Sequence, residues 1–229
     1  MAIILQIETA TPVCSVAIAK DGKLIAFKEI VKENSHSSLI TVMIDELLKE
    51  LGLTPKQLDA IAVSKGPGSY TGLRIGASVA KGMCYALDIP LIAISTLKAL
   101  AWGIREEYGN NANTLYCPMI DARRMEVYAT IVDADLHAII EDVPVILDDN
   151  SFSELLKENT IVFAGDGSEK SKTVLTSQNA RFIDTLASAR WMCELSESAY
   201  QSKTFADTAY FAPFYLKEFQ TTVPRKKVL

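Results

Sequence analysis

Gly66-Pro67-Gly68-Ser69-Tyr70-Thr71-Gly72-Leu73-Arg74-Ile75-Gly76 sits between an apolar run at residues 58–64 and a helical pattern that continues to Asp88. Four glycines and a proline in eleven residues at a strand-to-helix junction force unusual backbone geometry. Glycine allows positive φ and close approach of another chain segment, and a helix start leaves amide groups free to meet an anion. Three generic phosphate loops fail on spacing. No Gly-x4-Gly-Lys-Ser/Thr run exists. The third glycine of a dinucleotide fingerprint is displaced by Thr71, with Gly72 one position late. A kinase loop would need a lysine strand and an acidic catalytic loop behind it. Spacing alone favours the plainer reading, a tight turn with close helix packing.

Working outward, residues 3–8, 13–20 and 23–31 are β-rich, and Asp21-Gly22 is a hairpin turn signal. The pattern predicts a helix over 35–51, ended by Gly52. Thr54-Pro55-Lys56-Gln57 reads as a capping box with proline at the first helical position. Strands at 61–63 and 90–94 flank the helix 70–87, and a further helix runs from Thr96 to about Glu107. A hairpin-built sheet extended by strands that return through helices is an α/β fold with a mixed sheet. Residues 109–113 form a polar break, which divides the chain into an N-terminal lobe (1–109) and a smaller C-terminal lobe (110–229). The second lobe is expected to hold strands at 115–120, 125–133, 137–141 and 161–164. A helix opened by a Ser151 capping box should reach Glu158, with another over 186–202. It is short for a full repeat and is expected to be truncated.

The 229 residues carry net charge −5, which argues against autonomous binding along a phosphate backbone but not against RNA held jointly with a partner. Cys14, Cys84, Cys117 and Cys193 are far apart and match no zinc spacing. Reduced cysteines and the lack of a signal-peptide pattern point to the cytoplasm. No apolar stretch reaches 18 residues, so no membrane span is expected.

The exact string of the glycine loop closely resembles the signature of the bacterial TsaB family, tRNA threonylcarbamoyladenosine biosynthesis proteins of glycoprotease-like type. Ile7-Glu8-Thr9-Ala10-Thr11 with Cys14-Ser15-Val16-Ala17, Ser35-His36-Ser37, Ile94-Ser95-Thr96-Leu97, Ile120 to Tyr128, and Pro213-Phe214-Tyr215-Leu216 match in order along the chain. The resemblance implies the actin/Hsp70/sugar-kinase-like fold. It also implies a non-catalytic role beside the catalytic paralogue TsaD, assisted by the ATPase TsaE. The modified base is the adenosine 3′ of the anticodon, and tRNA would be met only through the complex. The first helix of the catalytic paralogues carries a His-x-x-x-His metal pair; here Ile40 follows His36 by four, so that pair is broken. One imidazole cannot build a three-ligand centre, and no metal site is expected.

The alternative is a stand-alone enzyme of the same fold, metallopeptidase-like or an ATP-dependent phosphotransferase. Its cleft would be lined by Glu8, Thr9, Asp121, Gly165, Asp166 and Gly167. Glu8 stands where this fold usually has the shorter aspartate, so at most a weak or vestigial ATP site is expected. Arg123 and Asp121 are expected on one face of a strand, as an ion pair or as a surface for a partner or RNA.

Gly72, Gly76 and Ala80 recur every four residues beside Ile75, Val79 and Met83, and Leu39, Met43 and Leu47 belong to an apolar band that Val42 widens. These residues form the expected partner interface, for TsaD and for a homodimer when the chain is alone. The tail Pro224-Arg225-Lys226-Lys227 reads as a solvated end.

Overall fold

The computed structural model describes residues 1–31, 36–109, 111 and 113–217. β1 (Ile3–Glu8), β2 (Val13–Lys20) and β3 (Lys23–Val31) form an antiparallel meander. Asp21 and Gly22 both take positive φ between β2 and β3, as the turn signal predicts. β4 (Ala60–Gly66) joins β1 in parallel and β5 (Leu91–Ser95) joins β4, giving the order β3-β2-β1-β4-β5.

The second sheet repeats this scheme. β6 (Thr114–Asp121), β7 (Glu126–Val132) and β8 (Ala138–Ile146) form the meander. β9 (Thr160–Ala164) and β10 (Ala180–Phe182) extend it in parallel to the order β8-β7-β6-β9-β10. Two sheets of one order make this the actin/Hsp70/sugar-kinase-like fold. The second copy is cut down. α1 (His36–Glu50) and α2 (Tyr70–Leu87) have 15 and 18 residues. Their counterparts α4 (Ser153–Glu158) and α5 (Ser168–Ser171) have 6 and 4.

Strand alternation sets the layers. Leu5, Ile7, Val16 and Ile18 face α1 and α2 together with Ile40, Met43 and Leu47. Ile4, Ala60, Ala62 and Ile92 point the other way. Between the two sheets runs α3 (Thr96–Tyr108), whose Ala99 packs on the first sheet and whose Leu100, Ala101 and Ile104 pack on the second with Tyr116 and Val162. All four cysteines are buried free thiols.

The chain then returns to the first sheet. The expected helix over 186–202 is a 3-10 turn, Ala189–Met192, followed by α6 (Cys193–Gln201). Met192, Trp191 and Leu195 cover Ile4 and Ile92, and Ala189 and Cys193 cover Ala17 and Ala19. Residues 206–217 continue as a strap. Ala206 bridges Leu91 at the sheet edge, Lys81 Nζ donates to the carbonyls of Ala209 (3.0 Å) and Phe211 (3.1 Å), and the Phe214 amide donates to Lys65 O at 2.6 Å.

Three local expectations need correction. Ser151 does not cap α4: its hydroxyl accepts from the Asp148 amide at 2.9 Å, and Phe152 holds the cap position in the left-handed region. Arg123 and Arg124 are not on a strand, because β6 ends at Asp121 and both arginines lie in the hairpin turn to β7 with φ of 68° and 50°. α5 and β10 are additional elements that no sequence pattern announced.

Candidate functional site

The glycine loop is held from below. Ser69 caps α2 by accepting from the Gly72 amide at 3.2 Å, and the Ser69 amide donates to Ala10 O at 2.6 Å. Thr9 Oγ1 donates to Gly72 O at 2.8 Å. A Cβ on Gly72 would overlap the backbone oxygen of Thr9, and one on Gly76 would overlap Thr9 Oγ1. The glycine row therefore lets α2 seat on the turn between β1 and β2. This corrects the assignment of Gly72 and Gly76 to a partner interface: both are buried within the chain, as are Met43 (3 % exposed) and Leu47 (1 %).

What remains outside is a narrower apolar face. Leu39, Ile75, Val79 and Met83 are half-buried against the core, and Val42 is 49 % exposed. Tyr70, Thr71, Arg74, Ile75, Ser78 and Val79 line a groove along α2.

The acids expected in the cleft gather where the two sheets meet. Glu8 ends β1 and Asp121 ends β6, at matching places in the two meanders. Glu8 and Thr9 are wholly buried, so neither is exposed to line a cleft. Glu8 Oε1 accepts from the Ala10 amide at 2.6 Å, while its Oε2 is buried with no hydrogen-bond partner. Burial outweighs that bond and the opposing pull of the Ser64 hydroxyl and Thr9 amide, and pushes the carboxyl up to about 7, with the Asp166 charge adding to the rise. Asp166 accepts from the Asp121 amide at 3.1 Å and is itself pushed up to about 6, chiefly by burial. Gly165 and Gly167 are buried against the Met119 carbonyl and the Ile120 backbone.

Lys170 lies beside Asp121 and pairs with its carboxylate. The same ammonium donates to Arg124 O at 2.8 Å and Glu126 O at 2.5 Å. Those three acceptors use all its protons. The magnesium-nucleotide group of this fold needs ionised carboxylates and free cations at the phosphates. A fully buried Glu8 and a saturated Lys170 do not fit it. Among the described residues, no three His, Cys, Asp or Glu side chains are grouped to hold a metal ion.

The Arg123–Arg124 turn is strained and braced. Adjacent non-glycine residues at positive φ cost on the order of 1–3 kcal/mol each. The Arg123 amide donates to Asp121 Oδ1 at 2.7 Å, and Lys170 holds the carbonyls on the far side.

The sequence model of the TsaD family, tRNA N6-adenosine threonylcarbamoyltransferase, matches residues 29–217. The tRNA threonylcarbamoyladenosine biosynthesis proteins TsaB of Haemophilus influenzae and Bacillus subtilis are 31% and 32% identical to the chain, over 93% of it and 93% of each relative. The chain belongs to the TsaB family. The solved structure of YeaZ from Pseudomonas aeruginosa is similar at 26% identity, with a TM-score of 0.80 over 94% of this chain and 100% of that one. An activator of 2-hydroxyisocaproyl-CoA dehydratase from Clostridium difficile, solved with ADPNP, shares the fold alone, at 10% identity and a TM-score of 0.51 over 88% of this chain and 97% of that one.

In this TsaB-family chain His36 opens α1, and its side chain lies outside the described residues, as do Ser35 and the tail from 218. Ile40, four residues on, is fully buried in the core. No helix among the described residues is long and apolar enough to cross a membrane. Sequence reasoning missed Lys170 and the strap. Only the likeness of Gly165-Asp166-Gly167-Ser168 to Gly66-Pro67-Gly68-Ser69, each following the second parallel strand of its lobe, hinted that 165–170 is a functional loop.

Proposed function

We propose that this chain is a non-catalytic subunit of a tRNA threonylcarbamoyladenosine-forming complex, supporting a TsaD-type paralogue that carries the metal and the chemistry. Membership of the TsaB family carries the pathway, since relatives covering 93% of the chain are named for it. The buried Ile40, where the catalytic paralogues resembled here have a second metal-binding histidine, supports the division of labour. The two lobes, 1–109 and 110–229, are tied together by the return of residues 189–206 to the first sheet and act as one platform in the cytoplasm, with TsaE as a further component.

The docking face is the outer side of α1 and α2: Leu39, Ile75, Val79 and Met83, widened by Val42. The same face pairs two copies when the chain is alone, because two-fold self-pairing is the commonest way to cover an apolar patch. Partner and self-association then compete. The cleft binds nucleotide weakly at best, since Glu8 is sealed and Lys170 is saturated.

Reconstitution tests the reading. Purified chain with TsaD, TsaE, tRNA and the small-molecule substrates should restore threonylcarbamoyladenosine formation that TsaD and TsaE alone do not support. The chain by itself should show no zinc-dependent peptidase activity and no ATP turnover. Modification at full rate without the chain, or robust ATP turnover by the chain alone, would overturn it.

A further inference from the structure

The Arg123–Arg124 turn has a charge balance unlike the rest of this acidic chain. Asp121 is taken by Lys170 and Glu126 by Lys217, the latter at 2.5 Å. Both arginine side chains are exposed, and neither has a carboxylate partner among the described residues. Asp166, on the Asp121 amide, is the further carboxylate of this cluster, so positive charge is still in surplus at one hairpin tip in a chain of net charge −5. The backbone there is fixed by Lys170 and Asp121, so the guanidiniums are presented from a rigid base. Tyr128 stands close enough for Arg123 and Lys217 to bias its hydroxyl. Lys217 of the strap lies beside the same turn, and Tyr215 on that strap packs against Tyr70 at a tilt of 35° with centroids 4.9 Å apart, while the Arg74 guanidinium lies over the Tyr70 ring. Arginines interleaved with aromatic rings are the surface chemistry of nucleic-acid contact. An asparagine-glycine pair would occupy the turn without strain, so this backbone alone does not call for arginine.

We propose that the Arg123–Arg124 turn is an RNA-backbone contact that takes phosphates of the tRNA presented to the assembled complex. The inference rests on the function proposed above. Two guanidiniums are too few for autonomous binding, which accords with the net charge; they add to binding once a partner holds the RNA.

The test uses the full chain in complex with its paralogue and a tRNA that the wild-type complex modifies. R123N/R124G relieves the strain and should raise the Tm of the chain by several degrees. It should also weaken tRNA binding by the complex about tenfold and lower the salt slope of log affinity by roughly 1–2. R123K/R124K should keep most of the affinity, because phosphate accepts a point charge. R123E/R124E should bind worst while still pairing with the paralogue in light scattering. Unchanged tRNA affinity and salt slope in R123E/R124E, in a complex that still forms, would overturn the proposal. So would loss of pairing with the paralogue in R123E/R124E, which would assign the arginines to an acidic protein surface. A wild-type chain that fails to support modification would overturn both this contact and the function it rests on.

Discussion

Glu8 is where burial and charge oppose each other most strongly. Its carboxyl titrates near pH 7 in the folded chain, against 4.5 for the free group. Between those values the folded state keeps a proton that the unfolded state has released, so stability falls as pH rises through this window. At 1.36 kcal/mol per unit the loss reaches roughly 3 kcal/mol above pH 7, and Asp166, pushed up to about 6, acts in the same direction. Glu8→Gln keeps an acceptor for the Ala10 amide and removes the charge. Urea unfolding should show it more stable than wild type at pH 8 by up to roughly 3 kcal/mol and nearly equal at pH 4. An equal gain at both pH values would trace the effect to packing. The glycines of α2 offer a second test. Gly72→Ala drives a Cβ into the Thr9 backbone and should cost about 1–3 kcal/mol or more. Gly76→Ala meets a side-chain oxygen and should cost less. Gly82 has nothing within 4 Å of an added Cβ, so Gly82→Ala should stabilise by roughly 1 kcal/mol. Chemical denaturation of the three variants in parallel reads the order.

At the scale of elements, α2 divides into an inner row that seats on Thr9 and an outer row, Ile75, Val79 and Met83, that is half-buried. Val79→Glu changes only the outer row. It should leave circular dichroism and Tm close to wild type, yield a monomer in light scattering and abolish pairing with the TsaD-type paralogue. A dimer that persists with this change would place self-association on another face. Gly76→Arg cannot serve as an interface variant, because Gly76 lies inside the fold. The sequence made elements legible where their signal is local. The β1-β2-β3 meander follows from alternation and a two-residue turn, and α1 to α3 follow from periodicity and caps. α5 and β10, of four and three residues, are too short to carry a period. The Ser151 cap failed because the preceding Asp148 amide takes the hydroxyl first. The glycine row announced that something packs on α2, but not that it is a turn more than 60 residues earlier in the chain. Glu8, Asp121 and Asp166 were legible because each ends a strand or follows one. That Glu8 would be sealed was not, since burial depends on both sheets.

In the whole molecule, the strap of residues 206–217 ties the two sheets together. The strap crosses from the edge of β5 over Lys65 to the second-lobe hairpin, where Lys217 meets Glu126. A chain shortened to residue 205 should keep both sheets but unfold several degrees lower, with faster hydrogen exchange over 65–72. Unchanged exchange there would show that the glycine loop does not depend on the strap.

The return of the C-terminal segment to the first sheet also bears on how the protein is made. The covering turn and helix begin about 90 residues after β5 ends. At 5–20 residues per second, the ribosome leaves Ala2, Ile4, Ala17 and Ala19 without that cover for roughly 5–20 s. During that interval the nascent first half carries an apolar sheet face covered only by α3, and the polypeptide completes its first sheet with a segment made much later.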